Sequence, residues 1–289
     1  HAERDGGARL ATAIQNPANV TFDNFHNRLL ILKTDPDILI EVEETAAGVL
    51  RPGTLIRHDI RKFGVHEPQG ITINPANGDL YILDNAGPYL IHVEPGQNGS
   101  FRNAAVTRID IQSTELINPQ GIAFDPVRTN LFILDPPLQQ LVELTPAGEV
   151  VSSQEIKGFR LNGRPAMVFA PSSNLTDDPA KMNLFIVDAP EQNKRSPGAG
   201  TLNKSNNSSQ NNLAVGQFVE VSLLPQPNLV PGVPVDSVTV VNITQTSSYS
   251  PPSPDPSGLA YLSGSNSLMI SDGEVNEMPQ YFTGDNLFE

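Results

Sequence analysis

Five times along the chain a proline opens an apolar strand, a polar turn follows, and a second apolar strand closes on a fixed spacing. The openings are Asn16-Pro17, Glu67-Pro68, Asn118-Pro119, Arg164-Pro165 and Asp255-Pro256. The closing strands are Leu29–Leu32, Leu80–Leu83, Leu131–Leu134, Leu184–Val187 and Leu268–Ser271, ended by Lys33, Asp84, Asp135, Asp188 and Asp272. Counted from the proline to the closing residue, the step is 16 in four units (17 to 33, 68 to 84, 119 to 135, 256 to 272). In the fourth unit it is 23 (165 to 188), because the turn between its strands is longer. A repeated step with matched apolar positions marks one supersecondary unit copied along the chain.

The second unit shows the local logic. Gly70-Ile71-Thr72-Ile73 and Leu80-Tyr81-Ile82-Leu83 flank Pro75-Ala76-Asn77-Gly78. That turn predicts a hairpin, with Asn-Gly supplying positive φ angles. Two further alternating runs follow in most units, such as Leu90–Val93 and then Val106–Ile111. Four short strands in about fifty residues predict a β-propeller blade. The first two strands are nearly all apolar, as strands buried on both faces should be. The fourth is the most polar, which suits a blade's outer edge.

The fold expected is therefore all-β, a β-propeller of four-stranded blades. Five blades are readable, for a closed ring of five or six. We expect a single domain over 1–289, with blades at about 16–65, 66–116, 117–162, 163–254 and 255–289. The last blade is incomplete, with a third strand at most around Asn286-Leu287-Phe288. Residues 8–14 would complete it, or a continuation of the natural chain, or another subunit. Residues 190–216, rich in Asn and Ser, read as a solvated flexible insertion.

The strings Pro-Gln-Gly-Ile-Ala-Phe-Asp-Pro (119–126) and Asn-Leu-Phe-Ile-Leu-Asp (130–135) resemble the NHL-repeat and gluconolactonase-like propeller superfamily. The likeness runs over residues 16–289. It implies a propeller, for which six blades is the usual number, and in its enzymes a divalent metal near the central channel. It does not imply one function, because such propellers bind, hydrolyse or scaffold. The last unit also resembles secreted bacterial proteins of the hemolysin-type calcium-binding group.

Composition narrows the functional classes. With no cysteine, disulfides and thiolate chemistry are out. A formal charge of −14 disfavours nucleic acid, whose phosphates need clustered Lys and Arg. No apolar run approaches the roughly 18 residues of a membrane-spanning helix. Acidic, cysteine-free and rich in Asn, Ser, Thr and Pro, the chain reads as secreted and extracellular, bacterial rather than eukaryotic.

Three groups of residues carry chemistry. Asn16, Glu67, Asn118, Arg164 and Asp255 precede the opening prolines and would ring one mouth of the channel. Their extended pre-proline backbone aims them at a shared point. Glu67, Asn118 and Asp255 offer hard oxygens for Ca2+, while Arg164 opposes a cation. Asp272, Glu274 and Glu277 form an acidic loop, a second candidate for Ca2+ without EF-hand spacing. His66 beside Glu67 is the one candidate general base. The closing aspartates Asp84, Asp135, Asp188 and Asp272 read as caps for the turns that follow them. Of seven Asn-x-Ser/Thr sequons, Asn98 and Asn174 fall in turns, and Asn19 and Asn242 in or beside strands.

No nucleophile–base constellation accompanies the repeat. The expected function is thus a non-catalytic extracellular binding or scaffold module. Its partner would be a protein, a glycan or copies of itself assembled through the incomplete last blade. The competing expectation is a calcium-dependent lactonase or esterase working at the channel mouth.

Overall fold

The apolar runs that close each repeat become the second strands of five antiparallel sheets, buried along their length. The computed structural model describes residues 14, 17–46, 49–161, 163–178, 180–189, 216–225, 233–249, 253, 255–273 and 287–288. Blade 1 holds β1 (Asn19–Asp23), β2 (Arg28–Thr34), β3 (Asp37–Ala46), β4 (Val49–Leu50) and β5 (Ile56–Asp59), the last two both pairing with β3. Blade 2 is β6 (Pro68–Ile73), β7 (Leu80–Asp84), β8 (Tyr89–Glu94) and β9 (Ala105–Asp110). Blade 3 is β10 (Ile122–Phe124), β11 (Leu131–Asp135), β12 (Gln140–Leu144) and β13 (Val150–Glu155). Blade 4 is β14 (Ala166–Pro171), β15 (Met182–Asp188), β16 (Gln217–Leu224) and β17 (Ser237–Gln245). Blade 5 is β18 (Pro256–Leu262), β19 (Ser267–Asp272) and β20 (Leu287–Phe288).

Register explains the spacing found in the sequence. Pro68 faces Asp84 and Pro256 faces Asp272, so the step from proline to aspartate is the length of one hairpin. The turn differs from expectation in one respect: Gly78 takes a positive φ of 79°, but Asn77 does not. Asn77 works through its side chain, donating to Asp79 Oδ2 at 2.8 Å and accepting from the Asp79 amide at 3.0 Å.

The second strands alternate between two neighbours with period two. Leu80 and Ile82 pack toward blade 1, whereas Tyr81 and Leu83 pack toward blade 3. Leu131 and Ile133 face blade 2, and Phe132 and Leu134 face blade 4. This is why these strands are apolar at every position: each lies between two other sheets. The outer strands β5, β9 and β13 are mostly exposed and carry the charges.

Five apolar cores result, one at each seam between adjacent blades. The first strands touch in cyclic order, β1–β6–β10–β14–β18 and back to β1, so the described strands close as a ring of five. At the closing seam Ser257 Oγ donates to the Pro17 carbonyl at 2.6 Å. Ile14 and Leu287 pack into the same seam. Such close approach needs glycine in the Pro-x-Gly triplets. A Cβ on Gly70 would stand 2.9 Å from the Gln120 carbonyl oxygen, and one on Gly121 2.9 Å from that of Pro165.

Residues 1–13, Asn16, most of the insertion (190–215), Glu274, Glu277 and Asn286 lie outside the described residues, and with them the expectations placed there.

Candidate ligand site at the mouth of the ring

Each closing aspartate is a buried clamp, and its main partner is not the one expected. Asp84 is 0% exposed; its Oδ1 accepts from the Glu67 amide at 2.6 Å and its Oδ2 from the His66 amide at 3.1 Å. Asp135 Oδ2 accepts from Ile117 N at 2.5 Å and Asn118 N at 3.1 Å. Asp188 Oδ1 accepts from Gly163 N at 3.0 Å, and Asp272 Oδ2 from Asp255 N at 3.2 Å. The bonds to the following turns, from Ala86 N and Leu138 N, are longer at 3.3 Å each. The cause is the proline. It has no N–H to give its facing strand, so the carboxylate reaches past it to the amide before it. The clamps therefore fix the backbone of Glu67, Asn118 and Asp255, and that of Gly163 next to Arg164.

Three of those residues come together. Glu67, Asn118 and Arg164 line one cavity of about 340 Å³, with Gln69, Asn85 and Gln120. Ile117 borders it and is 67% exposed. Asp255 is not among its lining residues. Asn85 Nδ2 donates to Asn118 Oδ1 at 2.9 Å, which ties blade 2 to blade 3 across the mouth. Gln69 Nε2 donates to the Glu67 carbonyl at 3.2 Å. Two oxygens at the site, Asn85 Oδ1 and Gln120 Oε1, are buried and have no hydrogen-bond partner.

The other candidates lie elsewhere. The amide of His66 serves the Asp84 clamp, and its ring is not among the cavity's lining groups. Asp272 is buried, and Ser253 Oγ donates to its carboxylate at 2.8 Å. Among the described residues no three His, Asp or Glu side chains group as a metal site. No described helix is long and apolar enough to cross a membrane.

Sequence reasoning passed over Gln69, Asn85 and Gln120 of the cavity and a buried polar network at the seam of blades 1 and 2. Gln69 and Gln120 were legible as equivalents, each directly after an opening proline; Asn85 directly follows a closing aspartate. In the network, Arg28 is 3% exposed and donates to Asp23 Oδ2 (2.8 Å), Glu41 Oε1 (2.9 Å) and the Gly99 carbonyl of blade 2 (2.7 Å). Its guanidinium stacks over Phe101, and His58 bonds the far oxygen of Glu41 at 2.9 Å. Burial pushes the Glu41 carboxyl up, but the His58 bond and the Arg28 charge outweigh it, and its pKa lies below the ordinary value. Arg128 repeats the device at the next seam but one, held by Asp125 at 2.9 Å and reaching the Pro225 carbonyl of blade 4. Nothing in the spacing separates these arginines from surface ones.

The ring of four-stranded sheets defines a β-propeller. No family model and no curated protein matches the chain. Among solved structures, the chain is similar to a PQQ-bound aldose sugar dehydrogenase from Streptomyces coelicolor (13% identity, TM-score 0.49, 95% of this chain and 93% of that one). It is also similar to a chain of a nidogen/laminin complex (14%, 0.47, 90% and 73%). A third is regucalcin, a calcium-binding protein from Agrobacterium tumefaciens (12%, 0.45, 98% and 91%). At these identities and scores the likenesses carry no argument about what this chain does.

Proposed function

We propose that the chain is a secreted, non-catalytic binding module, working as one five-bladed unit, with its ligand site at the mouth between blades 2, 3 and 4. The observation that carries this reading is the composition of the cavity. Four amides, one carboxylate and one guanidinium converge there, a set able to give and accept hydrogen bonds with a polar ligand. The test is to probe arrays of immobilised glycans and short peptides with the purified protein, its Asn118→Ala variant and its Arg164→Ala variant. Binding that both substitutions weaken at least tenfold supports the module; binding indifferent to both sinks it.

The alternative is a calcium-dependent lactonase or esterase, in which Glu67 and Asn118 would hold the ion and polarise a substrate carbonyl. What favours it is that these two side chains share one cavity; Arg164 in the same cavity opposes it. Lactone turnover that a chelator and Glu67→Gln both abolish would establish the enzyme. Association of copies through blade 5, with three described strands against four or five elsewhere, belongs to the same module reading. Light scattering of the protein with and without chelator tests it.

A further inference from the structure

Resting on the binding-module reading, we propose that the ligand of the mouth is a small zwitterion, an amino acid or dipeptide with a free ammonium and a free carboxylate. Asn85 Oδ1 and Gln120 Oε1 are buried without a donor. Asn85 Nδ2 donates to Asn118 Oδ1, and with Asn118 in that orientation a flipped Asn85 amide would set two oxygens against each other. A buried acceptor left unmatched is unfavourable, which favours the two amides turning to meet N–H groups that a bound molecule brings.

Charge then selects among donors. Glu67 brings a carboxylate to the cavity that Asn85 and Gln120 also line, and Arg164 lies in the same cavity. Neither forms an ion pair with any described residue. An ammonium satisfies Glu67 and the amide oxygens together, and a carboxylate takes the guanidinium in a charge-assisted pair. A neutral sugar would leave both charges without a counter-charge, and a simple anion would be repelled by a chain of formal charge −14. A zwitterion carries no net charge to repel. Ile117, exposed at the rim, offers the apolar contact that an amino-acid side chain would use.

Glycylglycine titrated into the 15N-labelled full chain tests the assignment, read by the side-chain amide resonances of Asn85 and Gln120. The comparison probes are N-acetylglycylglycine, glycylglycinamide, methyl β-D-glucopyranoside and calcium chloride. We expect glycylglycine to move both resonances and each capped dipeptide to bind at least tenfold more weakly. Arg164→Gln should weaken glycylglycine about as much as capping its carboxylate does, and should not weaken glycylglycinamide further. Unchanged resonances elsewhere show that the variant is folded. Equal binding of capped and free dipeptides overturns the zwitterion. So do resonances moved by the glucoside or calcium but not by glycylglycine, and that result leaves a binding module standing. If no probe moves them, the zwitterion fails as well, and the arrays decide the module on their own.

Discussion

Replacing Asp135 by alanine should be among the most destabilising single changes in the ring, and the structure says by how much. The carboxylate is fully buried and accepts from Ile117 N at 2.5 Å and Asn118 N at 3.1 Å, with a weaker third bond from Leu138 N at 3.3 Å. Hydrogen bonds to a charged group contribute about 1.5–3 kcal/mol each, which puts the two shorter bonds at about 3–6 kcal/mol together. Ile117 is exposed and Asn118 half-buried, so water reaches part of what is released; we expect a loss of about 3–5 kcal/mol. Asp135→Asn keeps one acceptor but turns an N–H toward an N–H, and should lose about 2 kcal/mol. The control is Asp110, which accepts from Gln112 N at 2.8 Å on the exposed outer edge; Asp110→Ala should cost under about 1 kcal/mol. Urea unfolding followed by circular dichroism, with unchanged slope, gives the three differences. An Asp135→Ala cost equal to that of Asp110→Ala would refute the reasoning, because burial of the clamp is what separates them.

Gly121→Ala forces a Cβ to within 2.9 Å of the Pro165 backbone and should cost about 1–3 kcal/mol in the same assay. Gly53→Ala, with nothing within 4 Å, should change stability by less than about 1 kcal/mol. Burial pushes the Tyr81 phenol up to about 12 from an ordinary 10.0, so the folded state holds that proton more tightly than the unfolded one. Its contribution is present below pH 10 and is lost as pH rises from there toward 12; Tyr81→Phe should lose less stability over that window. The Glu41 carboxyl is held below its ordinary 4.5, so its contribution is complete above that pH and is lost as pH falls through the folded value. Glu41→Gln should therefore be less stable than the parent at pH 7 and show a shallower fall in stability below pH 4.5, measured by urea midpoints at each pH.

The blades were legible because strand alternation leaves a mark: Leu80-Tyr81-Ile82-Leu83 is apolar on both faces since a sheet lies on each side. The pairing of proline with aspartate was legible as a spacing. What the aspartate holds was not, because a missing proline N–H is compensated by a bond to a residue 17 positions earlier, as between Asp84 and Glu67. At the mouth, Glu67, Asn118 and Arg164 could be named from their place before proline, and the structure puts them on one cavity. Asn85 escaped notice because its partnership with Asn118 spans two blades. Arg28 and Arg128 escaped it because burial of a charge depends on a carboxylate and a carbonyl brought from elsewhere, which a linear pattern does not record.

The clamps divide labour within blades 2 to 5. What holds residues 67 and 118 is a buried carboxylate bonding to main-chain amides, which are alike in nearly every residue type. The side chains of Glu67 and Asn118 can thus change while this main-chain support stays. Such a socket accepts new contents one position at a time, and a single scaffold can be refitted from one ligand to another while its frame stays the same.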